Sequence, residues 1–275
     1  MNADRHDLFE KLARAGFAAR GVVYALIGGL AVLAAFGSGG GTTGSSGALA
    51  TLADSGWGKA LLVLLAIGLF GYGVWRLTAA GLDLENQGSD KEGLAKRIAH
   101  AASGLFHFGL SIYEVVLIFG AAGAGSGGAD SATAKVMGMP GGVWLVGLLG
   151  VAFLAAAISQ AKKAVREEYK ARIRIPAGQT WMDPAVKSGI LARAVIFAII
   201  GAFLIYAAIT ANPDEARGVG EALDWLRGQA WGGVLLGLIG LGLLGFALYS
   251  FLQARYRVIP SPEGDAANTI RRVTA

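Results

Sequence analysis

The chain has 275 residues, 54% hydrophobic and 16% charged, with 24 Lys and Arg against 19 Asp and Glu and no cysteine. That apolar content exceeds what a soluble core of this size buries, so lipid must cover part of the surface. Without cysteine there is no disulfide framework, thiolate metal site or thiol redox chemistry, and the net charge of +5 is assigned to topology and acidic lipid headgroups rather than to nucleic acid.

Six apolar blocks follow in chain order, approximately 16–36, 60–80, 98–122, 142–161, 190–211 and 231–253. Each is near the ~20 residues that cross about 30 Å of hydrocarbon as a helix. Backbone amides find no water in lipid, so blocks rich in Leu, Ala, Val and Gly are read as helices. The first block has basic residues before it and Ala34 and Ala35 after its apolar core, as a signal peptide would. It is nevertheless expected to be retained, because it is one copy of a repeat. Between blocks, GSGGGTTGSSG at 37–47 and GAGSGG at 123–128 read as flexible spacers. Leu49 and Leu52, and likewise Leu223 and Leu226, are spaced for a short helix on the outer surface ahead of the next span. The tail after Pro260 is polar and expected to be disordered.

Charge placement predicts orientation. Twenty of the 24 Lys and Arg fall in the amino-terminal segment, the second and fourth loops and the tail, against Lys59, Lys135, Arg217 and Arg227 on the other side. The positive-inside rule then puts both termini in the cytoplasm. Trp57, Trp144, Trp225 and Trp231 are expected at the outer interface, and Trp75 and Trp181 at the inner one. The basic run from Lys162 to Arg174 is expected to lie along the inner leaflet, against acidic headgroups.

Residues 48–71 recur without a gap at 222–245, with 11 of 24 positions identical. Among the odd-numbered spans, Arg20, Tyr24 and Gly28 align with Arg193, Phe197 and Gly201, and with Ser103, His107 and Ser111 in a weaker middle copy. In the even spans Tyr72, Phe153 and Phe246 share one position. Three helical hairpins result, over about 12–80, 95–161 and 187–254, with a cytoplasmic segment at 1–11, a basic loop at 162–186 and a tail at 255–275. On ARAGFAARGVVYALIGG (13–29), ALATLADSGWG (48–58) and the fainter LARAVIFAIIG (191–201), the chain resembles the bacterial membrane proteins grouped as domain of unknown function 1206, in which a transmembrane helix pair occurs three times. The resemblance implies a bacterial plasma membrane location and a fold, without a reaction or site residues.

The predicted fold is therefore all-α, six transmembrane helices as three repeated hairpins in a pseudo-threefold arrangement with the odd helices inward. Many of the 43 glycines lie within spans at three- and four-residue spacing, which lets backbones approach closely in lipid.

One constellation stands out. His100, Ser103, His107, Ser111 and Glu114 step by three and four residues along one face of the third span. With that span centred near Leu110 or Ser111, His107 and Glu114 each lie within about 6 Å of the midplane, ~10 Å apart along the axis. An acidic side chain there costs roughly 2.5 to 3.5 kcal/mol on insertion scales, so Glu114 must face protein or water. His107, Ser111 and Glu114 are candidates for a proton or ion path. As a structural alternative, they hydrogen-bond Tyr113, Tyr206 or carbonyls of neighbouring helices. Arg20 and Arg193, a turn inside the cytoplasmic boundary, are candidates for anion or headgroup contact.

Enzyme readings fare worse. Gly44-Ser45-Ser46-Gly47 fits the GxSG pattern that resembles intramembrane rhomboid proteases, but it sits in a flexible loop and the sixth span carries no histidine to serve as base. His100 and His107 are seven residues apart, too far to chelate one metal from one helix. Gly58-Lys59 lacks the upstream glycine of a phosphate loop. No catalytic residues, metal or cofactor are expected. Two functional expectations remain: passage of a small solute, ion or proton along a central path lined by Arg20, His107, Glu114 and Arg193, or a non-catalytic scaffold that engages partners through its basic loops.

Overall fold

The computed structural model describes residues 3–38, 40–53, 56–119, 129–171, 173, 181–257 and 259. Nine α-helices occur among them: α1 Ala3–Ala35, α2 Ser45–Ala53, α3 Gly58–Gly81, α4 Lys91–Ile118, α5 Ala129–Met137, α6 Gly142–Val165, α7 Met182–Thr210, α8 Val219–Arg227 and α9 Gly232–Tyr256. Six of these, α1, α3, α4, α6, α7 and α9, are long and apolar enough to cross a membrane. The protein is an all-α, multi-pass membrane protein. The spacer at 123–128 and the tail after Pro260 lie outside the described residues.

The short helices expected ahead of α3 and α9 are present as α2 and α8. Their Leu49, Leu52, Leu223 and Leu226 are buried, as the three-residue spacing of one apolar face requires. Trp57 and Trp231, just ahead of α3 and α9, are exposed, and Trp231 takes a left-handed φ of 63°.

The contacts divide the chain into two compact units, one of Met1–Arg20, Leu52–Phe119 and Ser250–Ala275, the other of Gly21–Thr51 and Gly120–Tyr249. In the first unit α1 meets α3 with almost no side chain between them. A Cβ on Gly16 would lie 2.5 Å from Cβ of Tyr72, and one on Gly68 would lie 2.6 Å from Cβ of Ala19. In the second unit α7 meets α9 at equivalent positions, with Gly189 against Phe246, Gly242 against Ala192 and Gly245 against Ala185. Within hairpin one and within hairpin three the two helices thus meet in the same register, which only glycine permits at this separation.

Trp75, expected near the inner interface, has its side chain enclosed by protein. It is wholly buried with Ala13, Phe17, Tyr72, Ala79 and Leu84, its ring 5.6 Å from that of Phe9. The face of α3 that carries it is covered by Phe9, Ala13 and Phe17 of α1, so the indole packs against protein.

A second kind of contact ties the first helix of a repeat to the second helix of another. Arg97 on α4 donates to the carbonyls of Ala80 and Gly81 at the end of α3, at 2.8 and 3.0 Å. Arg14 on α1 donates to those of Ala254 and Arg255 at the end of α9, at 2.8 and 3.1 Å. The last carbonyls of a helix have no partner within it, and a guanidinium supplies one while opposing the negative end of the dipole. Lys187 holds the same repeat position on α7 and approaches Glu167, just beyond α6, at 3.6 Å.

Between α6 and α7, Lys170 contacts Glu167 at 2.6 Å and Asp183 at 3.0 Å, and the buried Tyr169 donates its hydroxyl to Asp183 at 2.6 Å. The hydrogen bond from Lys170 holds the Glu167 carboxyl below its ordinary range, and the same bond raises the Lys170 ammonium. Desolvation, reinforced by the bond to Asp183, pushes the Tyr169 phenol up.

Candidate functional site

The polar stripe on α4 belongs to the first unit, and its members have distinct surroundings. Ser111 donates its hydroxyl to the carbonyl of Ala66 on α3 at 2.9 Å. Seven residues away on both helices, a Cβ on either Gly73 or Gly104 would lie 3.1 Å from the other's carbonyl oxygen. In the second unit, Gly28 and Gly201, the repeat equivalents of Ser111, face the carbonyls of Gly240 and Gly150 in the same way, at 2.8 and 2.9 Å from an added Cβ. Where two repeats use glycine against glycine, the middle repeat uses a serine hydroxyl against a carbonyl. Ser111 therefore has a structural task whatever else it does.

His107 is buried, with Nδ1 2.6 Å from the carbonyl of Ser103. A carbonyl only accepts, so Nδ1 carries the proton of this bond. Its ring lies 4.5 Å from that of Tyr72. The equivalent pair in the second unit, Tyr24 and Phe246, meet edge to face with ring centroids 4.6 Å apart. Imidazole has thus replaced a phenol in an aromatic contact that the repeat already makes.

Glu114 differs from both. It is 0% exposed, and neither carboxyl oxygen has a hydrogen-bond partner among the described residues. Ala31 and Leu204, at the same repeat position, are also buried, at 0% and 4% exposure. The position is a core position in every copy, and the other two copies fill it without a polar atom.

Arg20 joins the stripe through Tyr72. Its Nη1 donates to the Tyr72 hydroxyl at 2.6 Å, its Nε to Ser250 at 3.2 Å and its Nη2 to Oε1 of Gln253, all four residues being buried. Arg193 lies in the second unit. It stands 4.5 Å over Phe197, 4.9 Å over Phe246 and 5.8 Å over Tyr24, and its buried Nε has no hydrogen-bond partner among the described residues. Phe246 is the repeat equivalent of Tyr72 and lacks the hydroxyl that receives Arg20.

Sequence reasoning missed an ionic cluster at the stripe's end. Glu85, in the connection between α3 and α4 and almost wholly buried, lies 2.5 Å from Arg257, 3.7 Å from Arg76 and 3.8 Å from Nε2 of His100. The only hint in the chain was an acidic residue beside an apolar one at the end of a span. Arg97 and Arg14 were counted for charge alone, although basic residues recur at 14, 97 and 187.

Fold and stripe together define a class: a multi-pass membrane protein of three repeated helix pairs with ionisable groups inside one of them. The family model described as Domain of Unknown Function (DUF1206) matches residues 15–83, 98–167 and 188–257. The chain belongs to this family. It is also 35% identical over 254 residues to a Bacillus subtilis (strain 168) protein described as "Uncharacterized protein YxxB", covering 90% of this chain and 91% of that one. No solved structure matches.

Proposed function

We propose that the protein is a non-enzymatic membrane protein that moves a proton or small cation, with Glu114 as the site that takes it up. The observation that carries this is the Glu114 carboxyl, completely buried with neither oxygen bonded among the described residues. A carboxylate in such surroundings needs a proton, a cation or water to be tolerable, and intramembrane carboxyls mark ion pathways by default. The fold does not require the acid, since Ala31 and Leu204 fill the equivalent positions. His107, two turns toward the basic end of the helices, presents its imidazole as a second proton-exchanging group on the same face. The positive-inside reading puts that end, with both termini, in the cytoplasm of a bacterial cell.

The chain has no cysteine, which makes the test direct. Single cysteines from Leu110 to Leu117 are labelled with a charged, impermeant thiol reagent in intact cells and in inverted vesicles. Labelling at 111 and 114 from at least one side is expected, together with pH-driven flux in proteoliposomes that Glu114→Gln abolishes. Protection of all eight positions from both sides, with equal flux in wild type and variant, would sink the reading and leave the scaffold alternative.

A further inference from the structure

Arg20 and Arg193 share a repeat position, yet only Arg20 has hydrogen-bond acceptors among the described residues. Arg20 gives its donors to Tyr72, Ser250 and Gln253. For Arg193 the described residues offer aromatic faces and no hydrogen-bond acceptor. A second cation shares the same floor: Nζ of Lys163, near the end of α6, stands 5.5 Å over Tyr249, whose ring lies 5.6 Å from that of Phe246. Phe246 and Tyr249 are one turn apart on α9, so guanidinium and ammonium rest on adjoining rings. Neither cation has an ion pair among the described residues, and the segment 172–180, RIRIPAGQT, contains no acidic residue. Ring faces attract cations but accept none of the five guanidinium N–H groups in the way an oxyanion does.

We infer that Arg193 and Lys163 form a binding site for a phosphate oxyanion at the basic end of α6 and α7. Arg193 supplies a planar fork that bonds two phosphate oxygens, and Lys163 supplies a point charge beside it. The ring floor keeps water from one side and so strengthens both contacts. Arg193 lies about one turn inside the apolar block that starts at residue 190, within reach of the headgroup layer for a long side chain. The shared chemistry is a phosphate group, either the diester of an acidic phospholipid or a free phosphate from solution. Arg20, already bonded, takes no part, so the two sequence candidates for anion contact separate into one structural arginine and one binding arginine.

The test uses the full chain purified in detergent, with native mass spectrometry to count retained phospholipid and added inorganic phosphate as the second probe. Wild type is expected to retain one acidic phospholipid or to bind phosphate, with occupancy falling about tenfold in Arg193→Gln and severalfold in Lys163→Gln. Arg20→Gln and Glu114→Gln are expected to bind as wild type, so this site and the Glu114 reading fail separately. Lipid that excess phosphate does not displace identifies the headgroup as ligand, and displacement identifies the free anion. Should Arg193→Gln fail to fold, Lys163→Gln and Arg193→Lys carry the test. Binding unchanged in every folded variant, or absent from wild type, would overturn the site.

Discussion

The guanidinium of Arg97 is bonded to the carbonyl oxygen of Ala80 at 2.8 Å, and Arg14 is bonded to Ala254 at the same distance one repeat earlier. Both close the exposed end of a helix that belongs to another pair. Hydrogen bonds to a charged group contribute roughly 1.5 to 3 kcal/mol, so Arg97→Ala and Arg14→Ala should each lower thermal stability in detergent. Arg14→Ala should cost more, because Arg14 also bonds Glu10 and the Arg257 carbonyl. Lysine at 97 should recover part of the loss and glutamine little of it. Melting curves followed by tryptophan fluorescence would read the order.

Glu114→Leu should stabilise the protein by about 1 to 3 kcal/mol, the cost of a buried polar group left without a partner, because Leu204 fills the equivalent position. The same substitution should remove flux, a trade of function for stability seen where an active group is held in unfavourable surroundings. A variant that melts lower than wild type would show that the carboxyl has a structural partner.

Ser111→Gly should be tolerated, since glycine occupies 28 and 201. The loss is roughly 0.6 kcal/mol for a membrane hydrogen bond, plus about 1 kcal/mol for glycine within a helix. Gly28→Val and Gly201→Val should prevent stable folding, because a Cβ would meet backbone carbonyl oxygen at 2.8 and 2.9 Å. Monodispersity after detergent extraction separates the two outcomes. Flux that survives Ser111→Gly would also remove Ser111 from the ion path.

Glu85→Ala should be among the most damaging changes. It leaves Arg257 and Arg76 without the carboxylate they approach, and breaking a buried pair from one side costs about 3 to 5 kcal/mol. Glu85→Ala combined with Arg257→Ala should be less unstable than the sum of the single changes, which a double-mutant cycle would measure.

The Lys170 cluster predicts a pH window for the connection between α6 and α7. Glu167 is lowered from 4.5, so its contribution is complete above that value and is lost as pH falls through the lowered one. Lys170 is raised from 10.5, so its contribution is complete below that value and is lost as pH rises through the raised one. Protection of the amides of residues 166–171, taken relative to their intrinsic exchange rate at each pH, should be greatest between these limits, and Lys170→Ala should flatten the profile.

The six spans and the repeat were legible because apolar length and recurring identity are properties of the linear chain. The burial of Glu114 was legible too, from its spacing with Ser111 on one helix face. What could not be read depends on partners distant in sequence. Glu85 and Arg257 are 172 positions apart with no periodicity to link them. Arg20 and Arg193 looked alike because their helices align, whereas the residues that distinguish them, Tyr72 against Phe246, lie on other helices. The burial of Trp75 was hidden for the same reason, because it is decided by its neighbour α1.

The crossing of Gly28 with Gly240 has a consequence for biosynthesis. A nascent chain enters the bilayer from its amino terminus, so α1 inserts first and must wait for α9, the last helix made, to meet its glycine face. Until then that face is open to lipid and to chaperones, with only its hairpin neighbour α3 in place. A chain released after hairpin two would carry four inserted helices and an unfinished α1, a ready substrate for membrane proteases. Quality control by such proteases would therefore count hairpins, sparing the chain only when all three are present.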